Sequence, residues 1–256
     1  MNFRIKYIFI FLFASALFVI SCEKDRPTEP TTDSCTDYDG NIYETVQLGD
    51  QLWMAENLKV THYNNGDSIP TGFTNTEWSN LDDTETGAFT IYPYDNDDAS
   101  LETCDENCAE VYGILYNWYT VDDDRGVCPE GFHVPSDEEW MELEMFFGMS
   151  FEDAHDAGYR GTDQGIQLAG NTDLWHSGLL EDNLAFGTSG FDALPGGHRI
   201  YYNGYYGYMG YSGYFWSSSE FTSGSAWHRL LGYNYSEVYR NNYRKRNGFS
   251  VRCLGD

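Results

Sequence analysis

The spacing of apolar residues predicts strands at the start of the main globular region. Tyr43, Val46 and Leu48 recur among polar residues, and a Gly-Asp turn separates them from a second short apolar run. This strand-like alternation, with Val46 and Leu48 two residues apart, is typical of a half-buried β-strand. Residues 61–110 are polar, acidic and rich in turn formers, which predicts irregular structure, whereas the aromatic run at residues 111–121 predicts one buried segment.

One helix is predicted with Ser136 as its N-cap. Glu139 stands three residues later and completes a capping box, in which each side chain accepts a hydrogen bond from the other residue's backbone. Trp140, Leu143 and Phe147 then fall on one face with acidic residues between them, as in an amphipathic helix.

Beyond this helix the predicted elements become shorter. Residues 151–170 predict one or two short helices, and the Gly- and Tyr-rich chain after Ser189 predicts short strands and turns. In residues 201–214, eleven of fourteen positions are Tyr or Gly; low-complexity disorder is the alternative, but the neighbouring Trp216 favours ordered loops. These elements predict an α+β protein with short antiparallel strands, one or two helices and long irregular loops.

The N-terminus predicts export and lipid anchoring. Arg4 and Lys6 precede an apolar run at residues 8–19, which is too short for a comfortable membrane span and has the length of a signal-peptide core. The run leads into Val-Ile-Ser-Cys, which resembles a bacterial lipobox, so we expect cleavage before Cys22 and acylation of that residue. An ordinary secretory signal with an incidental cysteine is the alternative.

These motifs divide the chain into three parts. Residues 1–21 are predicted as the signal peptide, residues 22–35 as a polar flexible tether, and residues 36–256 as one globular domain. Glu23 rather than Asp follows the lipidated cysteine, so no retention signal for the inner membrane is evident. We therefore expect a lipid anchor in the outer membrane of a Gram-negative cell, with the domain displayed at the surface.

Composition and charge restrict the partners. The formal net charge is -27, which argues against nucleic acid as a partner of the surface as a whole. Aromatic residues make up 17% of the chain, so many rings must be partly exposed, as they are in binding surfaces. Six of the 14 Lys and Arg lie in residues 229–256, which predicts a locally basic C-terminal face.

The cysteines suit an oxidising compartment. Cys104 and Cys108 enclose a short acidic loop and are predicted to form a local disulfide, since metal binding would need two further soft ligands. Cys128 and Cys253 bound the most structured region, and a disulfide between them would stabilise it. Cys35 is left over, and its pairing stays open.

The sequence contains no motif of a nucleophile elbow, zinc protease, Walker loop or dinucleotide fold, which predicts a protein that is not an enzyme. The six His are dispersed, and no cofactor or metal ligand set is predicted. Structural Ca²⁺ stays open, because the acidic runs at residues 95–98 and 122–124 supply hard oxygen ligands. They lack EF-hand spacing, and solvated acidic loops are the alternative.

The C-terminal segment predicts a binding face. Ten of the fourteen residues 233–246 are Tyr, Asn or Arg, and the segment leads into residues 248–253, which are predicted as a buried strand. Strand alternation assigns Trp227, Arg229 and Leu231 to the scaffold, where Arg229 can pair with acids. The side chains then expected to contact a ligand are His228, Leu230, Tyr233, Asn234, Tyr235, Tyr239, Asn241, Asn242, Tyr243 and Arg244. The alternative is that Tyr and Asn merely suit exposed short strands.

Five segments, in order along the chain, carry a family resemblance. They are GDQLWMAENL at residues 49–58, YGILYNWY at 112–119, CPEGFHVPSD at 128–137, FWSSSE at 215–220 and GFSVRC at 248–253. Together they closely resemble the Fibrobacter succinogenes major paralogous domain over residues 36–256. The resemblance implies a C-type-lectin-like fold related to formylglycine-generating enzymes, with the first helix near the final strand, which fits a Cys128–Cys253 bridge. Residues 91–110 look like an insertion.

The resemblance also implies a function for the C-terminal segment. In related C-type-lectin-like domains it is displayed at the ligand-binding face, and some family proteins resemble targets of diversity-generating retroelements, which rewrite adenines there. We therefore expect a surface lipoprotein whose aromatic face, diversified in this way, binds a protein or glycan on another cell, a phage or a substrate. The alternative is a polysaccharide-active hydrolase or an accessory carbohydrate-binding protein of a degradation system.

Replacement of the predicted lipidation residue tests the anchor. Cys22→Ser should move the protein from the membrane to the soluble fraction, because the acyl chains supply the methylene groups that hold the domain there. Fractionation followed by immunoblotting measures this. Cys35→Ser is the matched control and should stay with the membranes; a Cys22→Ser protein that also stays there would contradict the lipobox assignment.

Overall fold

The computed structural model describes residues 34–93, 104, 107–180 and 182–256. The described residues all belong to one compact unit, residues 32–256. The predicted signal peptide, Cys22 and most of the predicted tether lie outside the described residues. Within the described part of the chain, no helix has the length and apolar character needed to cross a membrane.

The fold is mixed α+β with mostly antiparallel strands, as predicted. The strands are β1 (Ser34–Thr36), β2 (Ile42–Leu48), β3 (Gln51–Met54), β4 (Phe89–Thr90), β5 (Leu115–Tyr116), β6 (Phe132–His133), β7 (Gly158–Arg160), β8 (Gly196–Arg199), β9 (Tyr206–Met209), β10 (Ser212–Thr222), β11 (Ser225–Gly232), β12 (Val238–Arg244) and β13 (Leu254–Gly255). They form a five-stranded sheet β1-β2-β3-β13-β6, a six-stranded sheet β7-β12-β11-β10-β8-β9 and a pair β4-β5. The pairing of β8 with β10 is parallel.

The helices are α1 (Asn75–Ser79), α2 (Cys108–Tyr112), α3 (Trp118–Val121), α4 (Asp137–Phe146), α5 (Phe151–His155) and α6 (Gln164–Leu168). Among them only α4 exceeds five residues, so the one long predicted helix is confirmed. The prediction of one or two helices in all is too low. Thr74 and Asn117 cap α1 and α3 by accepting hydrogen bonds from backbone N–H groups, which stabilises helices too short to show apolar periodicity.

Helix α4 forms as its sequence predicts. The Ser136 backbone N–H donates to the Glu139 carboxylate at 2.7 Å, and the Glu139 N–H donates to the Ser136 hydroxyl at 3.2 Å, so the capping box is confirmed. Trp140 is buried, with its ring 4.9 Å from that of Trp53 and 5.7 Å from that of Phe191. Helix α4 thus packs against two segments that are distant from it in the sequence, one on each side of it along the chain.

The aromatic run at residues 111–121 is not one segment. Gly113 ends α2 with a φ of +76°, and a Cβ atom there would lie 2.6 Å from the Cβ of Asn57. Only glycine allows both this conformation and this close approach. Asn117 then starts α3 by accepting a hydrogen bond from the Thr120 N–H. The prediction of a single segment is wrong because these two turn-forming residues divide the run.

The segment at residues 248–253, predicted as a buried strand, is buried but is not a regular strand. Residues 248–250 each form one isolated bridge, and the partners are Arg199, Tyr116 and Phe215. Residues 249–253 are at most 1% exposed. The predicted burial is therefore confirmed and the predicted strand is wrong, because the segment pairs in turn with the six-stranded sheet and with β5.

Both predicted disulfides are present. Cys104 pairs with Cys108, and Cys128 pairs with Cys253 across a separation of 125 residues. Cys35 is free and buried in β1, where burial raises the pKa of its thiol to about 11.

Five charged side chains are buried together beneath α4. Arg229 of β11 donates to Glu144 at 2.7 Å and to Asp137 at 2.6 Å. Arg240 of β12 also binds Asp137, and Arg160 of β7 binds Glu144, each at 2.5 Å. All five are at most 8% exposed. Burial alone would raise the pKa of Asp137, but the hydrogen bonds and charges of Arg240 and Arg229 lower it below its ordinary value.

Loss of the central arginine should destabilise the domain. Arg229→Met leaves Asp137 and Glu144 each without one buried partner, so the free energy of unfolding should fall by about 3–5 kcal/mol. Urea unfolding followed by circular dichroism measures this. Arg244→Met, at an exposed position of β12, is the matched control and should change it by less than about 0.5 kcal/mol. Equal losses in both variants would show that the network is not important for stability.

Candidate ligand-binding face

Strands β11 and β12 have two different faces. Arg229 and Arg240 are opposite each other in register and bind the carboxylates of α4. Trp227 lies on the same face, with the Arg240 guanidinium 3.9 Å from its ring centre, and Leu231 is buried there at 2% exposure. The predicted scaffold side chains therefore share the α4 face, although Trp227 remains partly exposed.

The other face holds half of the predicted ligand-binding residues. Its cross-strand pairs are Ala226 with Tyr243, His228 with Asn241, and Leu230 with Tyr239. Directly opposite residues in an antiparallel pair point to the same side of the sheet. The register thus brings together side chains that lie up to seventeen positions apart in the sequence.

The predicted outward exposure of His228 is wrong. Its side chain is 1% exposed, with its ring 5.2 Å from that of Phe249 and 5.7 Å from that of Tyr243. Alternation assigned it to the correct face, but these rings cover it. Burial, and then the positive charge of Arg229, lowers the pKa of His228 to about 3, so the imidazole is neutral at physiological pH.

Tyrosine rings lie on both sides of buried His228. We define the aromatic stripe as Tyr159, Tyr201, Tyr235, Tyr239 and Tyr243. The Tyr159 ring lies 4.1 Å from that of Tyr235 and 4.8 Å from that of Tyr239. His228 lies 6.2 Å from Tyr239 and 5.7 Å from Tyr243, and Tyr243 lies 6.0 Å from Tyr201. The stripe therefore runs from the β11–β12 turn across the sheet to the loop after β8.

The stripe is partly exposed and its orientation is restrained. Tyr159, Tyr235 and Tyr243 are 43%, 44% and 37% exposed. Asn241 donates to the Tyr239 hydroxyl at 2.7 Å, which holds that ring in place. Burial, and then the neighbouring Tyr235, raises the pKa of Tyr159, so its phenol stays protonated and can donate or accept a hydrogen bond.

Sequence reasoning missed Tyr159 and Tyr201. Tyr159 joins the stripe because β7 pairs with β12 and places it opposite Tyr239. Tyr201 follows β8 and reaches the stripe through its contact with Tyr243. Strand alternation in a single segment contains no information about such cross-sheet neighbours; the Tyr-rich composition of residues 201–214 was the one available signal.

A groove of about 350 Å³ opens at one end of the stripe. Its lining residues are Tyr201, Phe221, Thr222, Ser225, Asn242, Tyr243 and Arg244. It thus unites three predicted ligand-binding residues, although Asn242 pairs in register with Trp227 of the scaffold face. Phe221, at 49% exposure, adds an apolar wall that was not predicted.

The remaining predicted residues lie at the margins. Tyr233 packs 5.2 Å from Tyr211 and 6.3 Å from His176 instead of extending the ring contacts of the stripe. Asn234 is exposed in the turn between β11 and β12. Leu230 is partly buried against the core.

The predicted basic C-terminal face is wrong. Four of the six basic residues in this region are buried: Arg229, Arg240, Lys245 and Arg252. Lys245 pairs with Glu220 at 2.5 Å, and Arg252 donates to Asn57 at 2.7 Å. Arg246 pairs with Asp82, which leaves Arg244 as the exposed member of the set. Most of these cations form ion pairs or hydrogen bonds within the domain. The outer face of β11 and β12 is therefore mainly aromatic and neutral.

Within the described part of the chain, no group of three or more His, Cys, Asp or Glu is placed to hold a metal ion. Of the two acidic runs considered for Ca²⁺, residues 95–98 lie outside the described residues. In the other, Asp123 forms a 2.7 Å ion pair with Arg125, and this contact lowers the pKa of Asp123.

The fold and its face define an α+β domain that presents a neutral aromatic surface on a rigid sheet. Residues 46–254 match the family described as Fibrobacter succinogenes major domain, and the chain belongs to this family. The resemblance carried by the five sequence segments is thereby confirmed. No match to a curated protein or to a solved structure is found for this chain.

Buried His228 should make the domain sensitive to acid. Its folded-state pKa of about 3 lies below the ordinary 6.5, so stability present above pH 6.5 is lost as the pH falls toward 3. The loss should reach about 1.4 kcal/mol per pH unit within that window. His228→Phe keeps a ring against Phe249 and should make the urea midpoint fall less steeply between about pH 6 and about pH 4.5. Exposed His155→Gln is the control; an unchanged slope in His228→Phe would contradict the assignment.

Proposed function

We propose that this protein is a surface-displayed ligand-binding module and not an enzyme, anchored in the outer membrane through lipid on Cys22. Its ligand is a protein or glycan on another cell, a phage or a substrate. The contact surface consists of the aromatic stripe and the groove beside it.

One observation carries this proposal: the stripe is exposed on its outer side and supported by packed rings beneath. His228 and Phe249 lie under Tyr243, and Phe249 packs 4.4 Å from Trp216 and 4.9 Å from Tyr214. Tyrosines on a rigid support offer large contact area at low cost in side-chain entropy, as in antibody paratopes. A role in folding alone would not require rings that remain over a third exposed.

The family resemblance supports two more specific inferences, one about the fold and one about diversification of residues 233–246. We infer a C-type-lectin-like fold, which the Cys128–Cys253 bridge supports. We also infer that retroelements diversify the segment. In β12, such changes would fall on outward positions such as Tyr239 and Tyr243, while buried Val238 and Arg240 hold the strand in place.

Truncation of three tyrosines should remove binding without unfolding the domain. In the Tyr235→Ala, Tyr239→Ala and Tyr243→Ala triple variant, each lost ring should cost roughly 2 kcal/mol of binding free energy. The melting temperature should fall by no more than about 5 °C, because these side chains contribute little to the core. Labelled purified protein on glycan and protein arrays measures binding, and thermal unfolding measures stability.

Two scaffold variants serve as controls. Cys253→Ser should lower stability first, by about 2–5 kcal/mol, and Trp227→Ala should also destabilise before it affects a ligand contact. A collapse of the melting temperature in the triple tyrosine variant would show that the stripe is core. Release of sugar from a polysaccharide panel, abolished by one carboxylate substitution, would make the protein a hydrolase instead.

A further inference from the structure

A second aromatic cavity lies on the β8–β9 hairpin. It measures about 510 Å³, and its lining, which we call the tyrosine pocket, includes His198 and the five tyrosines Tyr202, Tyr205, Tyr206, Tyr208 and Tyr211. The volume is within the range of about 300–1,000 Å³ that is common for ligand sites. None of the residues of the aromatic stripe lines it, so the two surfaces can be tested separately.

Two walls of the tyrosine pocket are held rigidly. The Tyr206 hydroxyl bonds to the Thr90 hydroxyl, and the Arg199 guanidinium lies 5.0 Å from the centre of the Tyr206 ring. Tyr211 stacks on His176 with ring centres 3.8 Å apart. A ligand that enters would therefore not have to order these rings.

The rim consists of unusually exposed tyrosines. Tyr202, Tyr205 and Tyr208 are 60%, 59% and 58% exposed. Tyr208 also has a φ of +63°, a conformation that is strained for a residue with a bulky side chain. Such strain persists where the surroundings impose it, and it occurs often at ligand sites. Here it accompanies a ring 5.4 Å from that of His198 at the base of the pocket.

His198 is a buried polar group that faces this pocket without a polar partner. It is 7% exposed, and among the described residues no hydrogen bond to its ring is found. A Cβ atom on Gly207 would lie 3.5 Å from its Nε2 atom, so glycine at that position leaves the nitrogen uncovered. Burial lowers the pKa of His198 to about 4, which keeps the ring neutral at physiological pH. A neutral imidazole has one ring nitrogen that donates and one that accepts, so a ligand hydroxyl in the pocket can hydrogen-bond to either.

The chemistry of the lining selects the kind of ligand. Phenols, a neutral imidazole and the Asn203 amide face the cavity, and no lining residue among those described carries a formal charge at neutral pH. A cation would find no carboxylate, and an anion would meet the field of a chain with net charge -27. A neutral sugar ring has apolar C–H faces that stack on aromatic rings and hydroxyls that hydrogen-bond to phenol, amide and imidazole groups.

We propose that the tyrosine pocket binds a neutral saccharide unit of a glycan, with Tyr205 and Tyr208 stacked on the sugar and His198 hydrogen-bonded to one of its hydroxyls. This site does not depend on the proposed function of the aromatic stripe. A proline-rich peptide, which also docks in aromatic grooves, is the competing occupant. Its carbonyl groups can only accept a hydrogen bond, whereas a sugar hydroxyl can donate to or accept from the neutral imidazole.

Titration calorimetry with the purified full-length protein tests this. The probes are uncharged hexasaccharides of β-linked glucose, mannose and xylose, an anionic oligogalacturonate and a decaproline peptide. At least one neutral hexasaccharide should bind with a Kd on the order of micromolar to millimolar. Tyr205→Ala should weaken it about tenfold or more, and His198→Phe should weaken it while the melting temperature stays unchanged. Tyr38→Ala, at a 54% exposed position outside the pocket, should bind like wild type.

Three results would overturn the proposal. The first is the absence of binding to every neutral hexasaccharide. The second is tighter binding of the anionic or proline probe, abolished by Tyr205→Ala. The third is saccharide binding that survives Tyr205→Ala and disappears in Tyr235→Ala, which would move the saccharide site to the aromatic stripe. If the triple tyrosine variant of the aromatic stripe loses array binding while its saccharide affinity is unchanged, the two sites bind independently and both proposals are supported.

Discussion

The buried ion network beneath α4 is the constraint on which the candidate binding face depends. Three neighbouring strands, β7, β12 and β11, contribute Arg160, Arg240 and Arg229 to the two carboxylates of one helix. A slip in register would move an arginine away from its partner and leave a buried charge unpaired, at a cost of several kcal/mol. The strands are therefore held at one register, and the opposite face of the sheet is held with them.

This arrangement explains why the Tyr- and Asn-rich segment at residues 233–246 lies directly beside the buried segment at residues 248–253. The arginines of β11 and β12 point inward to the acids, so alternation turns Tyr239 and Tyr243 outward. The following residues then return beneath them: Phe249 supports the stripe, and fully buried Arg252 donates to Asn57 and to backbone carbonyls. One stretch of chain thus builds both the surface and its support, and most of its cations are buried, with Arg244 as the exposed exception.

Features that depend on near neighbours in the chain could be predicted from the sequence. The capping box of Ser136 and Glu139 needs only residues three apart, and the β2–β3 hairpin needs one alternating run on each side of a turn. The Cys104–Cys108 disulfide joins residues only four positions apart, and the alternation along β11 separated Arg229 from His228 correctly. In each case local backbone geometry decides which way a side chain points.

Only the tertiary structure decided how deeply each side chain is buried and which distant residues join it. His228 points to the predicted side, but Phe249 packs over it, so it became support instead of contact surface. Tyr159 entered the stripe through the pairing of β7 with β12, some eighty residues further along the chain. Arg229 and Arg240 turned inward because α4 brought acids to them. The sequence by itself determined directions, since these follow from the period of a strand or helix. The solvent exposure of each side chain was decided by which sequence-distant segment packs over it. That packing depends on the register of strands that are far apart in the sequence.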